Sequence, residues 1–199
     1  MKRFRSWLSP LVLAATLALA PGLALAGEAQ TLVQARHTEM MAQLKKPASA
    51  DRDKQVATVL AGLFDYDAMA EASMAKHWSG LSAEQKNEFK GLLKQLIQKN
   101  LEKSVKNTLN YNVSFLGEEP ATGGVTVKTK AASKTNTREE PIEIGYSLHQ
   151  TGGAWRAFDV WTEGSSMVNN YKNQFNRIIT KEGFPALIKR MKTKLASGG

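Results

Sequence analysis

Apolar residues in the first half of the chain recur at intervals of three and four, which is the spacing of one face of an α-helix. The segment that precedes the Pro47-Ala48-Ser49 stretch has this pattern, and so do two segments that follow it. We therefore expect several helices that pack through one apolar face each. The three predicted helices cover about 28–46, about 51–63 and about 67–78.

A fourth and longer helix is predicted from a capping box, in which Ser82 is followed three residues later by Gln85. The helix is expected to end near Asn110. One apolar stripe runs along it from Phe89 to Leu109, and lysines occupy its other faces. Such a stripe usually faces a core, but it is equally compatible with the wall of a lipid-binding pocket.

From Tyr111 onward the spacing changes to two, because apolar residues alternate with polar ones in four segments separated by short turns. Alternation of this kind predicts strands with one apolar and one polar face. Short connections predict that consecutive strands pair antiparallel, as a meander. The four predicted strands cover about 111–115, 125–130, 142–149 and 155–162.

Helical spacing returns after the last strand. Ser165 or Ser166 is expected to cap a helix that Gly183 ends, and Phe184-Pro185 starts a final helix with basic residues on its outer side. The whole pattern predicts an α+β fold. It consists of a four-stranded antiparallel meander sheet whose apolar face is covered by the N- and C-terminal helices.

The first residues have the three-part pattern of a secretory signal peptide. Basic residues precede an apolar run over 7–20, and Ala24-Leu25-Ala26 has the small-x-small form of a cleavage site. The run is shorter than the about 20 apolar residues of a membrane-spanning helix, which disfavours a retained anchor. We expect residues 1–26 to be a signal peptide, with export to the periplasm, and residues 27–199 to form a single domain.

The charge and the cysteine content narrow the choice of partner. Removal of the signal peptide leaves 24 basic and 18 acidic residues, a net charge of +6. In an exported protein this charge favours anionic lipid headgroups or acidic proteins over nucleic acid, although a solvated surface without a specific partner is also compatible. The sequence has no cysteine and three histidines in separate elements, so we expect no metal site and no cofactor.

Candidate catalytic residues have simpler explanations in this pattern. Asp65 and Asp67 stand where a helix cap is needed, as do Ser165 and Ser166. Neither a glycine-rich phosphate loop nor a Gly-x-Ser-x-Gly motif occurs in the sequence. We therefore expect a binding protein with no catalytic residue. The alternatives are a small-molecule enzyme that uses Asp159 or His77, and an adaptor protein that binds no lipid.

Several stretches, in order over about residues 30–195, resemble the MlaC (toluene-tolerance) family. They are Phe64-Asp65-Tyr66-Asp67-Ala68-Met69, Trp78 with Leu81-Ser82-Ala83-Glu84-Gln85 and Phe89, Trp155-Arg156-Ala157-Phe158-Asp159-Val160 with Glu163-Gly164-Ser165-Ser166, Tyr171-Lys172-Asn173-Gln174-Phe175, and Gly183-Phe184-Pro185-Ala186-Leu187-Ile188. The chain departs from the common family pattern at Lys172, at Trp161 and at Asn100-Leu101.

The resemblance implies a periplasmic phospholipid shuttle, so that residues 27–199 would be a lipid-carrier domain. Its partners would be a phospholipid, an inner-membrane ABC transporter complex with MCE domains, and an outer-membrane lipoprotein complex. It would not bind nucleic acid, and we expect a monomer. The lipid tails would lie between sheet and helices, with the headgroup at the mouth near basic side chains. The predicted lipid-binding residues are Val113, Phe115, Val125, Val127, Ile142, Ile144, Tyr146, Val160, Trp161, Met167, Val168, Tyr171 and Phe175.

Overall fold

The computed structural model describes residues 27–197, and of residues 105 and 106 only the backbone. The predicted signal peptide, residues 1–26, lies outside the described residues. Between residues 27 and 197 the chain forms six α-helices, one 3-10 turn and five strands. The helices are α1 (Glu28–Leu44), α2 (Ala50–Leu63), α3 (Tyr66–Met74), α4 (Ala83–Thr108), α5 (Met167–Glu182) and α6 (Phe184–Ala196). The strands are β1 (Tyr111–Ala121), β2 (Gly124–Ser133), β3 (Ile142–Thr151), β4 (Ala154–Thr162) and β5 (Ser165–Ser166).

Side-chain caps begin four of the helices, because the first backbone N–H groups of a helix have no partner within it. Ser49 accepts a hydrogen bond at the start of α2, Asp65 at the start of α3 and Ser166 at the start of α5. At α4 the predicted capping box of Ser82 and Gln85 is present in both directions. Asp65 and Ser166, two residues that resemble catalytic groups in the sequence, therefore have a structural role.

The sheet has the antiparallel order β1-β2-β3-β4-β5. The first four strands are the predicted meander, and the helices flank the sheet as expected. The two-residue strand β5 is an addition, which forms when Ser165 and Ser166 pair with the end of β4. A β-bulge interrupts β1 between Phe115 and Gly117, and a second irregularity lies in the pairing of β3 with β4. Bulges bend a strand, so both of them curve the sheet.

Alternation along each strand divides the sheet into an inner and an outer face. The register of the inner face places Thr129 opposite both Phe115 and Ile144, and Tyr146 opposite both Val127 and Val160. The described residues share one hydrophobic core, to which all six helices and the sheet contribute. None of the helices in this part of the chain is long and apolar enough to span a membrane.

The segment between α2 and α3 attaches the helices to the sheet. Phe64 forms a parallel bridge with Ala157 of β4, and the Asp65 N–H donates to the carbonyl of Ala157 at 2.8 Å. The carboxylate of Asp65 also lies 2.9 Å from Nε2 of His149 on β3. These contacts hold the segment that follows α2 at the edge of β4, beside the cavity described below.

Candidate functional site

An apolar cavity of about 130 Å³ lies between the inner face of the sheet and the helices α1, α2 and α4. We call it the apolar cavity. Because its walls come from eight elements or their ends, only the folded chain assembles it. Its lining residues are His37, Met40, Leu60, Leu63, Phe64, Leu101, Ser104, Thr108, Val113, Thr129, Ile144, Tyr146, Val160, Thr162 and Met167.

The sheet wall of the cavity follows from strand alternation. Val113, Thr129, Ile144, Tyr146 and Val160 occupy neighbouring positions on four adjacent strands. The Thr129 hydroxyl donates to the carbonyl of Ile144 at 2.9 Å, so its hydrogen-bonding capacity is met within the sheet. Burial raises the pKa of Tyr146 to about 12, which keeps its phenol uncharged at neutral pH. This wall is therefore electrically neutral.

Among the described lining residues, the helical wall contains one titratable group, the imidazole of His37 on α1. Burial lowers the pKa of His37 below its usual 6.5, which favours the neutral ring at pH 7. The ring packs edge-on against Phe115, with 5.8 Å between centroids. Its buried Nε2 has no hydrogen-bond partner among the described residues. Apart from this nitrogen, the helical wall is mainly aliphatic.

A second and more open depression of about 380 Å³ adjoins the apolar cavity. The two share Val160, Thr162 and Met167, which makes this edge the candidate mouth of the cavity. We call the second depression the polar groove, because all six of its other described lining side chains carry amide, hydroxyl or ammonium groups. Those residues are Asn100, Ser165, Asn170, Tyr171, Gln174 and Lys194.

The structure brings some of the predicted lipid-binding residues together at these two sites. The residues that line the apolar cavity are Val113, Ile144, Tyr146, Val160 and Met167. Tyr171 lies in the polar groove. Its ring stacks on that of Phe175, with 5.3 Å between centroids, and Phe175 also packs edge-on against Phe89 of α4. Phe175 therefore contacts the core between α4 and α5.

The remaining predicted residues line neither the apolar cavity nor the polar groove. Phe115 lies on the inner face opposite Thr129 and packs against His37. Val127 is fully buried and Val168 is buried in the core, while Val125 and Ile142 are half-buried on the inner face. Trp161 follows Val160 directly in β4, so its side chain lies on the outer face of the sheet. There its indole covers Gly145 of the adjacent strand.

Sequence reasoning missed most of the helical wall. The lining residues that the sequence prediction did not include are His37, Met40, Leu60, Leu63, Phe64, Leu101, Ser104, Thr108, Thr129 and Thr162. For Leu101, the apolar stripe of α4 had indicated a possible pocket wall. For Thr129, the inward position in β2 was the available indication. Helical periodicity by itself does not separate cavity residues from core residues.

The two residues considered for an enzyme make structural contacts. The carboxylate of Asp159 accepts hydrogen bonds from the Ser166 hydroxyl and from the N–H groups of Val160 and Val168. His77 Nε2 lies 2.9 Å from the side-chain oxygen of Asn176. Neither Asp159 nor His77 lines the apolar cavity. In the described part of the chain, no three His, Cys, Asp or Glu residues form a group that could hold a metal ion.

Comparison with known proteins agrees with this geometry. The fold and the cavity define a class of α+β proteins in which helices cover a curved antiparallel sheet and leave an apolar interior site. The sequence model of the family described as MlaC protein matches residues 34–193, so the chain belongs to the MlaC family. This result confirms the resemblance found in the sequence. None of the curated protein sequences matches the chain.

Solved structures with the same fold include the phospholipid-binding protein from Ralstonia solanacearum in complex with a phospholipid. Its sequence is 20% identical to this chain, and the match covers 86% of this chain and 98% of that one with a TM-score of 0.75. At this level of identity the likeness establishes a shared fold over nearly all of the Ralstonia protein.

Proposed function

We propose that this chain is a phospholipid carrier whose apolar cavity encloses the acyl tails. The observation that carries the proposal is the cavity itself, which has neutral walls and a mouth where Val160, Thr162 and Met167 meet the polar groove. Membership of the MlaC family and the fold shared with a phospholipid-binding protein support it. Phospholipid binding is thus the function that the fold and the cavity support best.

Enclosure of the tails is the main energetic requirement of such a carrier. Two acyl chains contain about 30 methylene groups, and exposing them to water costs on the order of 20 kcal/mol at about 0.8 kcal/mol per group. The carrier offsets this cost only if apolar side chains replace the membrane around the tails. Leu60, Leu63 and Leu101 on the helices and Val113 and Ile144 on the sheet provide such contacts.

The size of the cavity implies that lipid binding moves the helices. One water molecule takes up roughly 30 Å³ in the liquid, so a volume of about 130 Å³ has room for about four groups of that size. Two acyl chains require more space. The helices α1 and α2 pack on each other, and both also contact the sheet. We expect this pair to move outward as a unit, because that motion widens the cavity and keeps the α1–α2 contacts.

We further propose that the carrier works in the periplasm and shuttles lipid between two membrane complexes. The signal peptide predicted at residues 1–26 and the periplasmic character of the family support the location. The partners would be an inner-membrane ABC transporter complex with MCE domains and an outer-membrane lipoprotein complex. The net charge of +6 predicted for residues 27–199 suits approach to anionic membrane surfaces and acidic protein partners.

A lipid-transfer assay tests this proposal. Purified protein comprising residues 27–199 is mixed with vesicles that carry a fluorescent phospholipid and with unlabelled acceptor vesicles. A carrier speeds lipid transfer in proportion to its concentration. The variants Asp159→Asn and His77→Ala, once shown to be folded, should transfer lipid at the rate of the unmodified protein. Absence of both transfer and bound lipid would favour the adaptor alternative. If the unmodified protein converts the lipid chemically and either variant no longer does so, the enzyme alternative would be favoured.

A further inference from the structure

Hydroxyl groups in the polar groove are held so that their protons are available to a ligand. The side-chain amide of Asn100 donates to the Tyr171 hydroxyl oxygen at 2.8 Å. In the same way, the amide of Asn170 donates to the Ser165 hydroxyl oxygen at 3.1 Å. Each hydroxyl therefore already accepts a hydrogen bond. Among the described residues, neither hydroxyl has an acceptor for its own proton.

The charge of the groove also favours a ligand that accepts hydrogen bonds and is negatively charged. Lys194 on α6 is the charged residue among the described lining residues, and its ammonium group has no ion-pair partner in the described part of the chain. Burial raises the pKa of Tyr171, so its phenol keeps the proton that it can donate. The nearby carboxylate of Asp159 is engaged with Ser166 and the start of α5. The groove thus presents donors, without a lining carboxylate to repel an anion.

A phosphate group matches this arrangement, because its oxygens are strong acceptors, carry negative charge and have no proton to donate when ionised. We propose that the polar groove binds the phosphate of a phospholipid headgroup, through the hydroxyls of Ser165 and Tyr171 and the ammonium of Lys194. This inference rests on the proposed lipid-carrier function, since the tails would enter the apolar cavity past Val160 and Met167. It specifies the ligand class as lipids that carry a phosphate next to the glycerol.

The test compares two ligands that share their acyl chains, dioctanoyl phosphatidylcholine and dioctanoylglycerol, which has no phosphate. Their affinities are measured by calorimetry for the unmodified protein and for Lys194→Gln and Tyr171→Phe. Lys189→Gln is the matched control, because Lys189 is an exposed lysine of the same helix that does not line the groove. Thermal unfolding of each variant shows that it is folded.

We expect each groove variant to bind phosphatidylcholine about tenfold more weakly, which is the effect of losing one hydrogen bond to a charged group. Binding of dioctanoylglycerol should change less than twofold, and the control should bind both ligands normally. Equal losses for the two ligands, or no loss for either, would overturn the headgroup site.

Inorganic phosphate separates failure of this inference from failure of the carrier proposal. If the unmodified protein binds neither lipid, the carrier proposal is wrong, and an NMR titration with inorganic phosphate then decides the groove. Shifts at Ser165 and Tyr171 that Lys194→Gln abolishes would support the phosphate site, and their absence would overturn it. Inorganic phosphate that binds as tightly as phosphatidylcholine would assign the groove to free phosphate and overturn the headgroup assignment.

Discussion

The indole ring of Trp161 lies directly over the backbone of Gly145, its register partner on the adjacent strand. A Cβ atom at position 145 would come within 1.9 Å of Cζ2 of Trp161, which is far inside van der Waals contact. The ring therefore uses the space that only a glycine leaves. The ring shields the β3–β4 pair from solvent on the outer face of the sheet, the face opposite the apolar cavity.

This contact predicts that Gly145→Ala destabilises the fold. We expect the free energy of unfolding to fall by about 1–3 kcal/mol, because the indole must leave its place over β3. Urea denaturation measures the change. Gly91→Ala is the control, since a Cβ at this exposed position of α4 meets no atom within 4 Å. That variant should be as stable as the unmodified protein or up to about 1 kcal/mol more stable. Equal stability of Gly145→Ala and the unmodified protein would contradict the contact.

Glu118 is predicted to stabilise the start of α1. This helix has no side-chain cap of its own, and the Glu118 carboxylate accepts hydrogen bonds from the N–H groups of Gly27 and Gln30, the latter at 2.7 Å. We expect Glu118→Ala to lower the free energy of unfolding by about 1 kcal/mol, measured by urea denaturation. Glu119→Ala is the control, because it removes only a surface ion pair with Lys128 and should cost at most about 0.5 kcal/mol.

The Glu118 carboxylate should also make the stability of the protein depend on whether the chain begins at Gly27, the predicted processing site. In a chain cleaved before Gly27, the nitrogen of Gly27 is an ammonium group, so its hydrogen bond to Glu118 becomes charge-assisted. Protein that begins at Gly27 should therefore melt at a higher temperature at pH 7 than protein that begins at Ala26. Glu118→Gln should remove most of this difference. A difference of the same size in Glu118→Gln would show that the ammonium group is not paired with Glu118.

The half-buried imidazole of His37 should make the protein less stable in mild acid. Its pKa is lowered in the folded state by burial, whereas in the unfolded chain it has the usual value of about 6.5. The unfolded chain therefore binds a proton at higher pH than the folded chain does. Above about pH 6.5 this difference has no effect, and as the pH falls from 6.5 toward the folded-state pKa the free energy of unfolding decreases, by at most about 1.4 kcal/mol per pH unit.

The check is the pH dependence of urea denaturation for His37→Phe, which keeps an aromatic ring and removes the titratable group. We expect its stability to vary less between pH 6.5 and 5 than that of the unmodified protein. His77→Ala serves as the comparison, since this imidazole is hydrogen-bonded to Asn176 outside the cavity. An unchanged pH profile in His37→Phe would assign the acid sensitivity to other groups.

The sequence predicted the sheet more accurately than it predicted the cavity, and the reason is physical. Alternation along a strand states which side chains share a face, so Val113, Ile144 and Tyr146 could be assigned to the inner wall. By the same rule, the side chain of Trp161 lies on the outer face of the sheet, because it directly follows Val160, whose side chain lies on the inner face. Which helix covers which part of the face depends on packing between residues that are distant in the chain. His37 and Leu63 could therefore not be assigned to the wall from periodicity alone.

The junction after β4 shows the same division between local and distant information. The sequence predicted a cap at Ser165 or Ser166, because capping depends on residues within one turn of the helix, and the structure places it at Ser166. The pairing of Asn100 with Tyr171 joins residues 71 positions apart, and no local pattern indicates it. Both residues line the polar groove, so local sequence patterns could not predict this site.

The central claim, that the apolar cavity holds lipid tails, is tested most directly by native mass spectrometry of Val160→Phe beside Leu116→Phe. Val160 lines both the cavity and the groove, whereas Leu116 is 52% exposed on the surface, so the two variants add an aromatic ring at the mouth or far from it. The unmodified protein and Leu116→Phe should retain one phospholipid after exposure to vesicles, and Val160→Phe should be folded and largely empty. Equal lipid content in all three proteins would contradict the assignment of the cavity.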